Sequence, residues 1–309
     1  LTLNAFINRW RNWWRIQLRD ALELVLVPAL AIFLPWPICF SLFKGLARLP
    51  VLYRIPVRRG LEQAAQRGWM ATAESARWAR DLRLVRLIDH ADFYLMATRG
   101  TTWMKRYVQV DGHWPEPGQA GLLCTFHWGA GMWALRHARE QGLRLHMLLA
   151  RFDPGVFAGH PVMLNYGRWR TDAVAREGGC PTIDPTQAGA PLRAALASRE
   201  HVMAVMDVPS DMVKSTEVVD FLGHRVSMPS GLVRLAFEQQ VPVTLFSMGI
   251  NLETGQRHLR IRTLPPASDS SQLMKQVFAE MDALVRQSPT HWHFWGEAER
   301  IFAAPAPRS

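Results

Sequence analysis

From about residue 120 to the end of the chain, short apolar runs alternate with stretches of helical periodicity. No other feature limits the possible folds as much. The apolar runs predict strands at 121–126, 143–150, 201–206, 218–222, 241–250 and 258–264. Apolar residues three and four apart predict helices at 132–141, 191–198, 231–240 and 271–286. Strands that take turns with helices point to an α/β fold, a mostly parallel central sheet with helices on both faces.

Two stretches precede that pattern. Residues 61–110 carry apolar residues at helical spacing with arginines between them, and read as a helical lead-in to one domain over 61–309. Residues 1–60 read as a separate unit. They hold nine Lys and Arg against two Asp and Glu, and so supply +7 of the net charge of +10. "RWRNWWRIQLRD" (9–20) leads into 23 mostly apolar residues (21–43), long enough to cross a bilayer. Glu23, Pro28, Pro35 and Pro37 interrupt that run, and positive charge flanks both of its ends. An N-terminal apolar helical membrane anchor is expected, and an interfacial or re-entrant form fits at least as well as a span. A hydrophobic helical hairpin packed on the domain is the alternative. The run is too long and too broken by proline for a cleaved signal peptide. Thirteen tryptophans against four tyrosines also suit a membrane boundary. The basic charge beside an apolar run favours an anionic membrane surface over nucleic acid, for which no zinc-finger spacing, basic-region heptad or RNP-like motif is present. Cys39, Cys124 and Cys180 are odd in number and form no C-x-x-C, which predicts a reduced protein without a disulfide framework.

"LLCTFHWGAGMW" (122–133) places His127 just past the carboxyl end of a predicted strand, the edge at which open α/β sheets bind ligands. A histidine there can take a proton from an attacking hydroxyl or amine, or it can simply hydrogen-bond a loop. The same turn offers a second reading. Gly129, Gly131 and Ala134 match G-x-G-x-x-A, and Asp153 follows the next predicted strand. That combination would suit a dinucleotide-dependent oxidoreductase, although Trp128, Met132 and Trp133 crowd the turn. Asp207 and Asp211 follow the strand at 201–206, either as functional acids or as turn residues. Ser230 reads as a helix N-cap rather than a nucleophile. His291 and His293 form no metal-binding pattern and read as packing. No metal and no cofactor are expected.

Taken in order, these pieces resemble the bacterial lipid A biosynthesis acyltransferases (lauroyl/myristoyl type) of the lysophospholipid-acyltransferase-like superfamily. The resemblance covers most of the chain. It rests on the N-terminal apolar segment with its basic helices, the strand-then-His at His127, and "NYGRWR" (165–170). It continues through the strand ending at Asp207, the F-x-G and P-x-G of 221–231, "VPV" (241–243) and the closing "HWHFWGEAERIF" (291–302). It implies a membrane-associated acyltransferase at the cytoplasmic face of a bacterial inner membrane. Such an enzyme moves a fatty acyl group from an acyl carrier protein or CoA thioester to a hydroxyl or amine of a lipid-type acceptor. His127 would be the general base, with no covalent intermediate. The family signature is His, four residues, then Asp or Glu, and here that last position is Met132. A thioether cannot take a carboxylate's place. Three readings follow: Asp207 or Asp211 serves His127 from a neighbouring strand end; a backbone carbonyl orients the ring; or the chain is a catalytically impaired relative that binds acyl carriers or acyl chains. The resemblance also implies an arginine contact to phosphate or to the reaction centre, Arg168 in preference to Arg170, with Asp211, Gly129 and Gly131 among the substrate-binding positions. A solvated basic loop is the plainer account of the two arginines.

Overall fold

The computed structural model describes residues 3–150, 154–155 and 157–303. The expected alternation builds a six-stranded sheet. Its strands are β1 (Val108–Asp111), β2 (Gly121–Thr125), β3 (Leu145–Met147), β4 (His201–Val205), β7 (Val243–Ile250) and β8 (Arg257–Thr263), in the spatial order β1-β8-β7-β2-β4-β3. Strands β7, β2, β4 and β3 run parallel, and β8 pairs antiparallel with β7. The fold is therefore α/β with a mostly parallel sheet. A separate antiparallel hairpin joins β5 (Thr216–Phe221) to β6 (His224–Pro229). The inner strands are nearly continuous apolar runs, as burial on both faces requires: every residue of β7 is buried, and so are the first four of β2 and of β4.

The helices are α1 (Leu3–Ala21), α2 (Leu30–Phe33), α3 (Trp36–Leu46), α4 (Arg54–Gln66), α5 (Ser75–Thr98), α6 (Thr101–Tyr107), α7 (Met132–Glu140), α8 (Pro161–Gly178), α9 (Gly189–Ala197), α10 (Gly231–Glu238), α11 (Ser270–Gln287) and α12 (Ala298–Ile301). Four elements depart from the sequence reading. β1 overlaps the end of the stretch read as helical, because four residues are too few to break a helical pattern. The strand expected at 218–222 belongs to the hairpin and not to the sheet. Its partner β6, "HRVSMP", carries too little apolar alternation to stand out. α8 was missed because its buried residues are few, and it turns "NYGRWR" from a loop into helix.

The N-terminal apolar run is not one rod. It breaks into a π-helical turn (Leu22–Leu26), α2 and α3. Pro28 sits in the turn before α2, and Pro35 precedes α3, where Pro37 occupies the first turn. Proline is tolerated at those points and not in a helix interior. Among the described residues no helix is long and apolar enough to cross a membrane, which leaves the spanning form of the expected anchor without support. One side of the run packs on the domain. Trp36, Cys39, Phe40 and Phe43 are buried, and Trp36 Nε1 donates to the Gly255 carbonyl at 3.1 Å. Glu23 is buried too. It accepts from the Tyr53 backbone N–H at 2.6 Å, while burial pushes its carboxyl up. The other side faces outward. Of sixteen large apolar side chains exposed among the described residues, twelve lie between Ile7 and Ile55, and Phe33 is 78% exposed. On α1, Ile7, Trp10, Trp14 and Leu18 fall on one stripe, and Arg11 and Arg15 border it.

Candidate active site

Strands β2 and β4 are parallel neighbours in a constant register: Gly121 faces His201, and Thr125 faces Val205. Two residues beyond those ends the same offset sets His127 beside Asp207. The Asp207 side chain is fully buried and both of its oxygens are used. The His127 backbone N–H reaches Oδ1 at 2.9 Å and Oδ2 at 3.1 Å. The His127 ring Nδ1 lies 3.0 Å from Oδ1, and Trp292 Nε1 donates to Oδ2 at 2.9 Å. Burial by itself would push the Asp207 carboxyl up. Electrostatic attraction to His127 and these donors outweigh it and hold the carboxyl below the ordinary carboxylate range. An ionised carboxylate only accepts, so in the neutral imidazole of His127 the proton sits on Nδ1 and the lone pair on Nε2. Phe294 stacks on the ring, with centroids 3.9 Å apart and an interplanar angle of 14°. The His127 side chain remains 34% exposed, so the ring is not sealed inside the packing. The arrangement is a partly exposed histidine oriented through Nδ1 by a buried acid.

Met132, at the position where the resembling family carries its acid, is buried in the core at the start of α7. Asp207 reaches Nδ1 of His127 from the adjacent strand instead. Asp211 does not join them. It is an exposed partner of Arg300 at 2.9 Å.

The glycine turn is used by the fold itself. Gly129 has φ +72°, and a side chain there would meet the Met248 carbonyl at 1.9 Å. Its N–H donates to the His291 carbonyl and the Ala130 N–H to the Met248 carbonyl. His293 Nε2 lies 2.7 Å from the Gly129 carbonyl. Gly131 immediately precedes α7 with an ordinary negative φ. A pyrophosphate cradle needs free backbone N–H groups, and two of those in this turn are taken. β3 is also separated from β2 by β4, so the acid of a dinucleotide site would stand two strands from the glycines. Asp153, the residue proposed for that role, lies outside the described residues. The dinucleotide reading loses its geometric basis.

Arg168 is exposed on α8, and among the described residues no hydrogen bond or ion pair joins it to His127. Arg170, two residues on, turns inward. It holds Asp89 of α5 at 2.7 Å and Tyr166 Oη at 3.3 Å, and Tyr166 in turn meets His90 Nδ1 at 2.7 Å. Burial alone would lower the Arg170 pKa, but Asp89 and Tyr166 drive it well above its usual value. Burial would raise Asp89, and the charge and hydrogen bond of Arg170 hold it far below the carboxylate range instead. His90 is kept neutral by burial, pushed down to about 3, and His293 likewise to about 4. Arg86 donates to the His293 carbonyl at 2.9 Å, and the His293 N–H to the His127 carbonyl at 2.8 Å. The charged cluster on α5 and α8 therefore connects to His127 through the chain at 293.

The closing segment does more than the packing its sequence suggests. Trp292 holds Asp207, His293 braces the backbone on both sides of Trp128, and Phe294 covers the His127 ring. The density of aromatics and histidines in "HWHFW" is the signal that marked it. Ser230 precedes α10 as expected, but its hydroxyl makes no cap and faces Arg234 instead. An open cleft of about 410 Å³ lies behind Trp128, between Asp111, Ser247 and Arg260, and neither His127 nor Asp207 lines it. No protein-family model matches the chain, and no curated protein matches it significantly.

Proposed function

We propose that the protein is a membrane-associated acyltransferase in which His127 is the general base. The observation that carries this reading is a partly exposed histidine whose Nδ1 is fixed on a buried, ionised aspartate. The acceptor's hydroxyl or amine attacks the thioester carbonyl of an acyl carrier protein or acyl-CoA while Nε2 takes its proton. The tetrahedral intermediate collapses, the carbon–sulfur bond breaks, and the departing thiolate receives that proton from the imidazolium. An ester or amide and a free thiol result, with no acyl-enzyme. Asp207 stabilises the imidazolium between the two transfers, the role of the acid in the serine-protease triad. A basic chain suits an acidic carrier protein.

The expected membrane contact is the cytoplasmic face of a bacterial inner membrane. Support comes from the exposed apolar residues of 7–55 bordered by arginine, a pattern that favours an interfacial helix over a span. Each buried Trp or Phe is worth about 1.5–3 kcal/mol of transfer. The triple substitution Trp10→Ala, Trp14→Ala and Phe33→Ser is therefore expected to lower partitioning onto vesicles of anionic phospholipid at least tenfold. Sedimentation of protein with vesicles measures this. Unchanged partitioning would remove this face as the docking surface.

Turnover of labelled acyl carrier protein with a membrane-lipid acceptor tests the chemistry. His127→Ala is expected to lose at least 10³-fold in rate with the far-ultraviolet circular dichroism unchanged, because proton transfer and imidazolium stabilisation are both lost. Equal rates in the two proteins would exclude His127 as the base. Donor binding without turnover in the wild type would favour a non-catalytic acyl-carrier binding protein.

A further inference from the structure

We infer that His146, Cys180 and Glu200 form a binding site for a zinc-class divalent cation at the edge of the sheet, remote from His127. His146 lies on edge strand β3, Cys180 follows α8, and Glu200 precedes β4. Their ligand atoms all fall within 4.8 Å of one another. His146 Nε2 is 2.6 Å from Glu200 Oε2, and Cys180 Sγ is 3.9 Å from Glu200 Oε1. Zinc takes this mixture of imidazole, thiolate and carboxylate, typically tetrahedral at about 2.0–2.3 Å from each donor. Modest side-chain rotation brings the three atoms to those distances and leaves a fourth position for water. One thiolate and one carboxylate neutralise the ion's charge.

Two further observations support a cation there. The first is the ring of His146. Its Nδ1 faces the Pro181 carbonyl at 3.0 Å, and its Nε2 faces a carboxylate. Both partners are acceptors. A neutral imidazole carries one N–H, so the nitrogen turned to Glu200 needs a second proton or a metal between the two groups. A backbone carbonyl on Nδ1 is also the usual brace of a histidine that ligates through Nε2. The second observation is how Cys180 arrives. Gly179 has φ +72° and bridges to Leu145, and a side chain on Gly178 would meet the Leu145 carbonyl at 2.7 Å. These glycines bring the cysteine against β3.

The cysteine is buried, and burial together with Glu200 pushes its thiol up. Coordination releases that proton to solvent as the sulfur–metal bond forms. Arg144 Nε holds Glu200 Oε1 at 2.7 Å, from a side chain 63% exposed that can turn away into water. Along β4 the site stands near His201, whereas Asp207 follows the other end, about 20 Å on at the usual strand rise. The ion would fasten a three-residue edge strand to the chain on both sides of it, which is a structural role.

The test is metal titration of the full chain, purified without a histidine tag and stripped with chelator. One Zn²⁺ per chain is expected in competition with a chromophoric chelator, weakened at least tenfold in Cys180→Ser and in His146→Ala. Co²⁺ is expected to give thiolate charge-transfer absorption in the near ultraviolet, absent from Cys180→Ser. Arg144→Ala, which removes the competing cation, is expected to bind several-fold tighter and keeps the test open if His146→Ala does not fold. Absence of stoichiometric binding, or binding undiminished in Cys180→Ser, would overturn the inference and leave His146 as a hydrogen-bond partner of Glu200.

Discussion

Asp207→Asn is expected to reduce acyl-transfer turnover about 10⁴-fold with little change in KM, the loss seen when the acid of a histidine-based triad becomes its amide. The cause is the proton's position. In the wild type both Asp207 oxygens accept, and Nδ1 of His127 is a donor by necessity. An asparagine offers one acceptor and one NH₂. With the NH₂ toward Nδ1, the ring must accept there and carry its proton on Nε2, where it cannot take one from an acceptor. With the NH₂ toward Trp292, two donors meet inside a fully buried pocket, and stability falls instead. Steady-state rates together with thermal unfolding separate the two outcomes. A variant that turns over within tenfold of wild type, equally stable, would mean that Asp207 orients the backbone of His127 and not its chemistry.

That prediction depends on a pairing that the sequence carried only in part. The strand ends at His127 and Asp207 were both legible, because a buried parallel strand is a short apolar run with a polar residue after it. Their adjacency was legible only as one reading among three, with Asp211 as an equal candidate for the acid. Nothing local says that β4, and not the next strand in sequence, lies beside β2, or that the register offset brings 127 to 207. The family spacing pointed to position 132, where a methionine has joined the core. Arg168 and Arg170 show the same limit. Two residues apart on a helix they face different ways, and only a helix reading of 161–178 could have separated the inward Arg170 from the exposed Arg168. The prolines of the N-terminal run were readable and do break it. The docking of Trp36 on a turn more than two hundred residues away was not.

The buried pair of Asp92 on α5 and Arg257 on β8 gives the largest expected stability effect, and the two partners should fail differently. Both side chains are fully buried, joined by two hydrogen bonds, and Arg257 lies 3.9 Å from the Trp36 ring. Removing one partner of such a pair costs about 3–5 kcal/mol. Asp92→Ala leaves a guanidinium that cannot shed its charge inside the core, so the full loss is expected at every pH. Arg257→Met leaves a carboxyl that can take up a proton. Burial already pushes Asp92 up against the pull of Arg257, and without that pull it rises further. A folded-state pKa above the unfolded one gives stability that is present at acid pH and lost as pH rises toward the folded value. Arg257→Met should therefore be more stable at pH 5 than at pH 8, while Asp92→Ala shows no such recovery. Replacing both at once, Asp92→Leu with Arg257→Met, should restore much of the loss, because an apolar pair of similar volume carries no desolvation penalty. Denaturant unfolding of the three variants at the two pH values measures all of this. Equal, pH-independent losses in the two single variants would show that the pair's contribution is packing and not charge.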